Sequence, residues 1–307
     1  MPLEDYLNYF QKLKVNKKGN HESPHKPCLL LAVIGLAEAG LFEDNKIRFS
    51  HALLDRYQEI FSLIKTQGDC ANPYLPFFHL RTEKFWHLKP VKGRELVLEA
   101  IASASSFASI EENIDYAYVD EELFAHLTSA KSRNALRDIL ITRWFGSFSS
   151  QVYDLVNQDK YESNLRHYVE TGIKEEQAQY EKPVRDTAFR RIVTEAYDYR
   201  CAATGLRIVL PGEVIMVQAA HLIPYADSRD DDPRNGMALT PDLHWALDRN
   251  IVSPGPDMKW HVSSLVDQRI ADNRPLLDLA DKDILLPKDK RFWPRTDALE
   301  SRMLALK

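Results

Sequence analysis

Four side chains in the C-terminal half of the chain, His221, Asn235, His244 and Asp248, have types that suit metal-assisted hydrolysis of a phosphodiester. A neutral imidazole such as that of His221 can remove a proton from water for attack on phosphorus. A histidine and a carboxylate such as His244 and Asp248 can share one divalent cation, which would stabilise charge on the phosphate and the leaving oxygen. Asn235 can hold the backbone of a loop and so fix the orientation of His221.

The elements around these residues predict how they are positioned. Thr240 and Pro241 form an N-cap and first-turn pair, so His244 and Asp248 lie one turn apart on one helix face. A helix at residues 187–197 comes first, followed by β-prone pieces at 199–202 and 214–221. The order strand, loop, strand, loop, helix is the topology of a ββα-metal site.

Each residue also has an ordinary structural explanation. A single histidine at a strand end is more often structural, Asn-Gly is a common turn pair, and a His-x₃-Asp pair often lies on a solvated helix face. The whole set at this compact spacing is much harder to explain by chance. We therefore interpret it as a catalytic site.

The motifs that contain these residues resemble the HNH endonuclease family over about residues 184–290: Tyr199-Arg-Cys-Ala-Ala-Thr-Gly205, Ala219-Ala-His-Leu-Ile-Pro224, Arg234-Asn-Gly236 and Leu243-His-Trp-Ala-Leu-Asp248. The resemblance implies that His221 is the general base, that Asn235 orients it and that His244 binds metal. Asp248 stands where many members carry a further ligand. Many members also have a ligand at the position of Ala220, so another residue supplies it or His221 itself binds metal.

The cofactor that this resemblance implies is one divalent metal ion, Mn²⁺, Mg²⁺, Ni²⁺ or Co²⁺. Cys201 is followed by Thr204 where zinc-ribbon members have a second cysteine, so no structural zinc is expected. The three cysteines are widely separated and form no CxxC pair, which argues against a disulfide framework and favours a reducing compartment.

In the first half, the stretch Ser23-Pro-His-Lys-Pro27 precedes an apolar run that predicts a buried helix at residues 26–40. It places His25 and Lys26 at the helix N-terminus, where cations oppose the helix dipole. That arrangement makes sense if an anion binds there, because helix starts and basic side chains together bind phosphate.

A second stretch, Tyr74-Leu-Pro-Phe-Phe-His-Leu-Arg81, combines an apolar wall with His79 and Arg81. An apolar pocket edged by cations would suit an anionic group that is poorly hydrated. The phenylalanines and Leu80 are more simply explained as core.

Both stretches resemble the sulfur-binding domain that is fused to HNH nucleases in modification-dependent restriction enzymes, over about residues 20–165. That domain recognises DNA with a phosphorothioate in its backbone. The resemblance implies a sulfur pocket lined by His25, Lys26, Leu75, Pro76 and His79, with Tyr74 and Arg81 nearby. Members often carry His-Arg at positions 25–26 and Tyr-Pro at 75–76, so Lys26 keeps the charge but loses the bidentate fork.

The composition is that of a globular protein, with 44% hydrophobic and 28% charged residues and a net charge of -5. The longest apolar run, residues 28–36, is too short to span a membrane, and the N-terminus has no signal-peptide pattern. We expect a cytoplasmic protein without a membrane partner. The negative net charge argues mildly against binding nucleic acid by bulk electrostatics.

The predicted fold class is α+β. A mainly helical DNA-recognition domain with a small β element is expected over residues 1–172, then a linker at 173–183, and a ββα-metal nuclease domain with a C-terminal tail at 184–307. Further helices are predicted at residues 52–64, 94–104, 121–130, 133–144 and 149–171, and strands at 46–49 and 84–88.

These features predict a restriction endonuclease that binds phosphorothioate-modified double-stranded DNA and cuts it with a one-metal HNH site. An HNH endonuclease that reads another mark, or none, is an alternative. The missing ligand at Ala220 leaves a second alternative, a modified-DNA-binding protein with an inactive nuclease. Cutting both strands with one site per chain would need a homodimer or two binding events.

Overall fold

A computed structural model describes residues 1–18, 21–42, 44–65, 70–104, 106–173, 182–208 and 215–307. The described residues form two compact units, Met1–Ser163 and a second that begins at Asn164. Helices dominate, and the strands of the described part pair only in two-stranded antiparallel sheets. The predicted α+β class is confirmed. The predicted linker at 173–183 lies outside the described residues except at its two ends.

The helices of the first unit surround one that is buried along its length. They are α1 (Leu3–Gln11), α2 (His25–Glu38), α3 (His51–Ile64), α4 (Tyr74–His79), α5 (Glu95–Ala100), α6 (Phe107–Asn113), α7 (Glu121–Thr128), α8 (Ala130–Trp144) and α9 (Ser149–Thr171), which continues beyond Ser163. Every residue of α2 from Lys26 to Leu36 is buried. Because α2 is apolar all round, other helices must cover it, and α3, α4, α7 and α8 do so.

Most helices predicted in this unit are confirmed. The helix at 26–40 is α2, and Gly40 follows its end with a φ of 71°, in the left-handed region that glycine favours. The helices at 52–64, 121–130, 133–144 and 149–171 end within a turn of their predicted bounds, whereas that at 94–104 is shorter. The chain also has helices that were not predicted, α1 and α6 among them.

The strands of the first unit are β1 (Lys17–Lys18), β2 (His21–Glu22), β3 (Trp86–Pro90) and β4 (Ile114–Val119). The strand predicted at 84–88 corresponds to β3, which pairs with the unpredicted β4. The strand predicted at 46–49 is reduced to a single bridge between Ile47 and Ala117. The small β element therefore consists of the antiparallel pair β3–β4 with one bridged residue beside it, and β1 and β2 form a separate short pair.

The second unit contains the elements of the predicted ββα arrangement. They are α10 (Lys182–Ala196), β5 (Gln218–His221), α11 (Tyr225–Ser228), β6 (Gly236–Leu239), α12 (Pro241–Asp248), β7 (Val252–Pro254), β8 (Trp260–Val262), α13 (Arg274–Leu277) and α14 (Thr296–Leu304). β5 and β6 are antiparallel, with His221 opposite Gly236 and Ala220 opposite Met237. The order strand, loop, strand, helix is formed by β5, β6 and α12.

The strands of this motif are not the two that the sequence predicted. Residues 199–202 form a turn in which Tyr199 has a φ of 56°, which a strand does not allow, so that strand prediction is wrong. The predicted second strand contains β5, which is the first strand of the motif, and β6 was missed. β6 is buried at every position, so it lacks the alternation by which a half-exposed strand is found.

Among the described residues, no helix is long and apolar enough to cross a membrane.

Gly236 allows α10 to lie close against the strand pair. A Cβ atom added there would lie 2.6 Å from Cζ of Phe189 and 2.6 Å from Cγ2 of Val193, both in α10. Contacts this short are not tolerated, so α10 would have to move away from β6. Phe189 also packs against His221, so this close approach helps to place the catalytic candidate.

We predict that Gly236→Ala lowers the free energy of unfolding by about 1–3 kcal/mol, because the added methyl overpacks the contact with α10. Chemical denaturation followed by near-ultraviolet circular dichroism would measure this. Gly172→Ala is the control: it has a φ of 72° and nothing within 4 Å of the added Cβ, so only the backbone cost of about 1 kcal/mol applies. Equal stability of Gly236→Ala and the wild type would contradict the prediction.

Candidate active site and candidate DNA-binding pocket

His221 lies at the end of β5 with its ring held from two sides. The ring stacks on Phe189 at a centroid distance of 3.8 Å and an interplanar angle of 3°. Its Nε2 lies 3.4 Å from Oδ1 of Asp231. The side chain is 22% exposed, so water can reach it. This is the environment of a positioned imidazole that can exchange a proton with solvent.

Asp231 and Arg185 form the wall beside His221, and sequence reasoning missed both. The Asp231 side chain is 4% exposed, and its Oδ2 accepts a hydrogen bond from Nη1 of Arg185 at 3.1 Å. Arg185 in turn lies over the ring of Tyr225, 4.3 Å from its centroid. The run of three aspartates at 230–232 was a signal that could have identified the acid. The contact between Asp231 and His221 could not be predicted from the sequence, because it depends on the folded loop between them.

Asn235 is fully buried and holds the loop that follows His221. Its Oδ1 accepts from the backbone N–H of Ile223 at 2.9 Å, and its Nδ2 donates to the carbonyls of Ile223 at 3.0 Å and Asp230 at 3.2 Å. Its own carbonyl accepts from the N–H of Leu222 at 2.8 Å. Asn235 ends a 3₁₀ turn and Gly236 begins β6, so this Asn-Gly pair is not a hairpin turn.

An ionic cluster ties the same loop to the segment before α14. Asp232 binds Arg234 at 2.7 Å and Arg295 at 3.1 Å, and Arg295 also binds Asp230 at 2.7 Å. Burial alone would raise the pKa of Asp232, but the hydrogen bonds and charges of Arg234 and Arg295 hold that pKa below its usual value. The backbone N–H of Arg295 donates to the carbonyl of Arg234, so the cluster positions the residue next to Asn235.

His244 and Asp248 lie one turn apart in α12, as predicted. Nε2 of His244 is 3.6 Å from Oδ2 of Asp248, and Nδ1 of His244 is 2.9 Å from Oε1 of Gln218. When Nδ1 donates its proton to Gln218, the lone pair of Nε2 is directed away and can bind a metal ion. The two atoms are close enough to share one cation.

These donors fit a divalent metal that accepts imidazole nitrogen and carboxylate oxygen. Two protein ligands leave other coordination positions for water or DNA. No group of three or more His, Cys, Asp or Glu side chains within the described ranges is arranged to hold a metal. The methyl side chain of Ala220 has no donor atom, so this position supplies no side-chain ligand.

In the first unit, a cavity of about 720 Å³ brings together five of the seven residues predicted to bind DNA or sulfur. His25 and Lys26 come from the start of α2, and Leu75, Pro76 and His79 come from α4. The other lining residues are Lys14, Val15, Asn16, Ser23, Thr82 and Ser103. Leu75 and Pro76 form the apolar wall.

Both basic residues from the start of α2 are already paired within the protein. Nζ of Lys26 lies 2.6 Å from Oε1 of Glu83 and donates to Oγ1 of Thr82 at 3.0 Å. Nδ1 of His25 is 2.7 Å from the hydroxyl of Tyr57. These contacts occupy the two basic side chains that the sequence predicted to bind an anion.

His79 also has a partner, since its Nε2 lies 3.0 Å from Oγ of Ser103. Burial, followed by the positive charges of Lys26 and Arg81, lowers the pKa of His79 below its ordinary value of 6.5. The imidazole is therefore neutral at pH 7. The cavity presents a neutral ring where the sequence suggested a cation.

The structure does not bring Tyr74 and Arg81 into the lining of this cavity. The hydroxyl of Tyr74 bonds to Asn72, and Arg81 donates to the carbonyls of Leu98 at 3.1 Å and Ile101 at 2.7 Å. Arg81 also lies over the ring of Phe78, 3.9 Å from its centroid. These contacts hold the side chain against its own unit, so its geometry is that of a structural residue.

Comparison with known proteins supports two domains. The family model described as "ScoMcrA-like, DNA sulfur-binding domain" matches residues 3–157, just over half of the chain, and the model described as "HNH endonuclease" matches residues 201–253. No curated protein matches the chain.

Two solved structures are similar to parts of the chain. The one described as "Modification dependent TagI restriction endonuclease" is 20% identical over 41% of this chain, with a TM-score of 0.32, and the chain covers 40% of its length. The one described as "Sulfur binding domain of SprMcrA complexed with phosphorothioated DNA" is 19% identical over 50% of this chain and 96% of its own, with a TM-score of 0.38. At these TM-scores neither structure supports an argument about this chain.

We predict that Asn235→Ala lowers the free energy of unfolding by about 2–4 kcal/mol, because it leaves two backbone groups of Ile223 without their buried partner. Chemical denaturation followed by near-ultraviolet circular dichroism would measure this loss. Asn250→Ala is a control in the same unit, although the left-handed backbone of Asn250 adds a small cost. A smaller loss for Asn235→Ala than for Asn250→Ala would refute the role assigned to Asn235.

Proposed function

Because the chain belongs to the family of ScoMcrA-like DNA sulfur-binding domains, we propose that it is a modification-dependent restriction endonuclease. It binds double-stranded DNA that carries a phosphorothioate and hydrolyses a phosphodiester bond nearby with its HNH domain. Recognition is assigned to residues 1–172 and cleavage to residues 184–307. The observation that carries the proposal is the cavity at the start of α2, where five residues expected around a sulfur atom line one space.

The chemistry of this cavity suits sulfur better than oxygen. Replacing one phosphate oxygen with sulfur keeps the charge, but it makes that face larger, more polarisable and less well hydrated. An ordinary phosphate oxygen that entered the cavity would lose hydrogen bonds to water. Lys26, His25 and His79 are poorly placed to replace them, because each already has a partner within the protein. Sulfur loses less and gains contact with Leu75 and Pro76.

At the nuclease site, His221 is the general base. Nε2 of His221 faces the buried carboxylate of Asp231, so we assign to Nδ1 the proton taken from the attacking water. Phe189 and Asp231 keep the ring in one orientation, and Asn235 fixes the loop behind it. His244 and Asp248 would hold a divalent cation, which would supply electrostatic stabilisation of the phosphate and the leaving oxygen.

We predict that, with Mn²⁺ or Mg²⁺, the protein cuts plasmid DNA that carries phosphorothioates and leaves unmodified plasmid intact, and that EDTA abolishes cutting. His221→Ala should reduce the cleavage rate by about 10²–10⁴-fold, the usual effect of losing a general base. Its binding to modified DNA should stay close to that of the wild type. Gel analysis of time courses would measure the rates.

His167→Ala is the matched control, since His167 is an exposed histidine of the same unit, and this variant should cut like the wild type. Cutting by His221→Ala at the wild-type rate would refute the catalytic assignment. Equal cutting of both plasmids by the wild type would refute modification dependence. Binding of modified plasmid without cutting in any metal would leave the alternative of an inactive nuclease.

A second prediction concerns the cavity. His79→Ala and Pro76→Ala should each reduce the ratio of affinities for modified and unmodified duplex by roughly fourfold or more, since a buried methylene contributes about 0.8 kcal/mol. Fluorescence polarisation with two duplexes of the same sequence would give the ratio. Tyr74→Phe, which changes a side chain outside the lining, should leave it unchanged. An unaltered ratio in His79→Ala and Pro76→Ala would place sulfur recognition elsewhere.

A further inference from the structure

The acid behind the cavity, Glu83, has a role that none of the motifs suggested. Its Oε1 lies 2.6 Å from Nζ of Lys26, and the side chains of Lys26 and Glu83 are only 10% and 8% exposed. The same Oε1 accepts a hydrogen bond from the backbone N–H of Lys14 at 3.0 Å. Lys14 and Lys26 line the cavity, whereas Glu83 does not. Glu83 therefore compensates a cavity charge from a position that a ligand does not reach.

We propose that Glu83 is a specificity-determining residue, which keeps the cavity from attracting ordinary phosphate by neutralising Lys26. This proposal rests on the proposed recognition of phosphorothioate DNA. It assigns to Glu83 a positioning and electrostatic role, with no direct contact to DNA. As a result, the cavity offers no uncompensated positive charge from Lys26, and an ordinary phosphate gains little by entering it.

The physical reason lies in how oxygen and sulfur respond to an ammonium group. A phosphate oxygen is smaller than sulfur, so it approaches Nζ more closely and gains more Coulomb energy. If Lys26 lost its counter-charge, both kinds of DNA would bind more tightly, and ordinary DNA would gain more. The paired state is therefore the one in which apolar contact with Leu75 and Pro76 decides between the two ligands.

The other basic residues around the cavity do not present a buried positive charge to a ligand. Lys14 is exposed at the edge, where its charge is solvated and attracts both duplexes alike. The lowered pKa of His79 keeps its ring neutral at pH 7, and His25 is held by Tyr57 and stacked on Phe61. Lys26 is thus the buried cation whose compensation matters.

The test is Glu83→Gln, which keeps the shape of the side chain and removes its charge. Dissociation constants would be measured by fluorescence polarisation for two duplexes of one sequence, with and without a single phosphorothioate, at two salt concentrations. We expect the affinity for the unmodified duplex to rise about fivefold, the effect of about one added charge at a partly solvated site. The affinity for the modified duplex should rise less, so the ratio falls. The salt dependence should steepen by about one counterion.

Glu112→Gln is the matched control, because it removes one negative charge from an exposed residue of the same unit. It should leave the ratio unchanged. Unmodified DNA that binds Glu83→Gln no more tightly than Glu112→Gln overturns the proposal, as does equal weakening of both duplexes, which would indicate a purely structural role. A wild type that does not distinguish the duplexes would instead refute the proposed function itself.

A double variant, Lys26→Met with Glu83→Gln, covers the case in which the single variant does not fold. It removes both charges and keeps the volumes similar, and replacing a buried ion pair in this way is often tolerated. Its ratio of affinities should stay within about twofold of the wild type, even if both affinities fall. If the double variant bound the modified and unmodified duplexes with equal affinity, neutrality of the pair would not be what selects sulfur.

Discussion

Burying a polar group costs free energy unless that group finds a partner, and both sites of this chain are built under that constraint. In the first unit, Lys26 enters the interior only together with Glu83. In the second, Asn235 is fully buried because the backbone of the loop satisfies its amide. Removing either partner would leave a charge or a backbone group unpaired. Hydrogen bonds and ion pairs of buried groups therefore fix the geometry of each site. The chemistry of each site depends on the polar and apolar groups that remain available to a ligand.

The groups that remain available after this pairing differ between the two sites, in agreement with their proposed roles. Around the cavity, Lys26, His25 and His79 are paired within the protein, and Leu75 and Pro76 form an apolar wall beside them. At the candidate active site, pairing uses one nitrogen of His244, through Gln218, and Nε2 of His221 faces Asp231 at 3.4 Å without a hydrogen bond. The other nitrogen of each ring is left to accept a proton or bind a metal. The same constraint therefore shapes the cavity of the first unit and the candidate active site of the second.

The sequence predicted the parts of this architecture that depend on local pattern. Apolar runs and caps predict α2 and α12, and spacing predicts that His244 and Asp248 share a helix face. The family resemblance named five residues that line one cavity. The strand at 199–202 was wrong because a β-prone composition does not reveal the left-handed backbone of Tyr199, and β6 was missed because it is buried on both faces. Lys26 and Glu83 are 57 residues apart, and His221 reaches Asp231 only across a folded loop, so no local pattern could pair them.

The proposed function requires that a single sulfur atom directs DNA cleavage by this protein. The most direct measurement is cleavage of an end-labelled duplex that contains one phosphorothioate linkage, beside the same duplex with an ordinary phosphate, with Mn²⁺ present and the fragments sized at nucleotide resolution. If the proposed function is right, cuts will be confined to a short distance from the modified linkage and the unmodified duplex will stay intact. Cuts at the same positions and rates in both duplexes would contradict it.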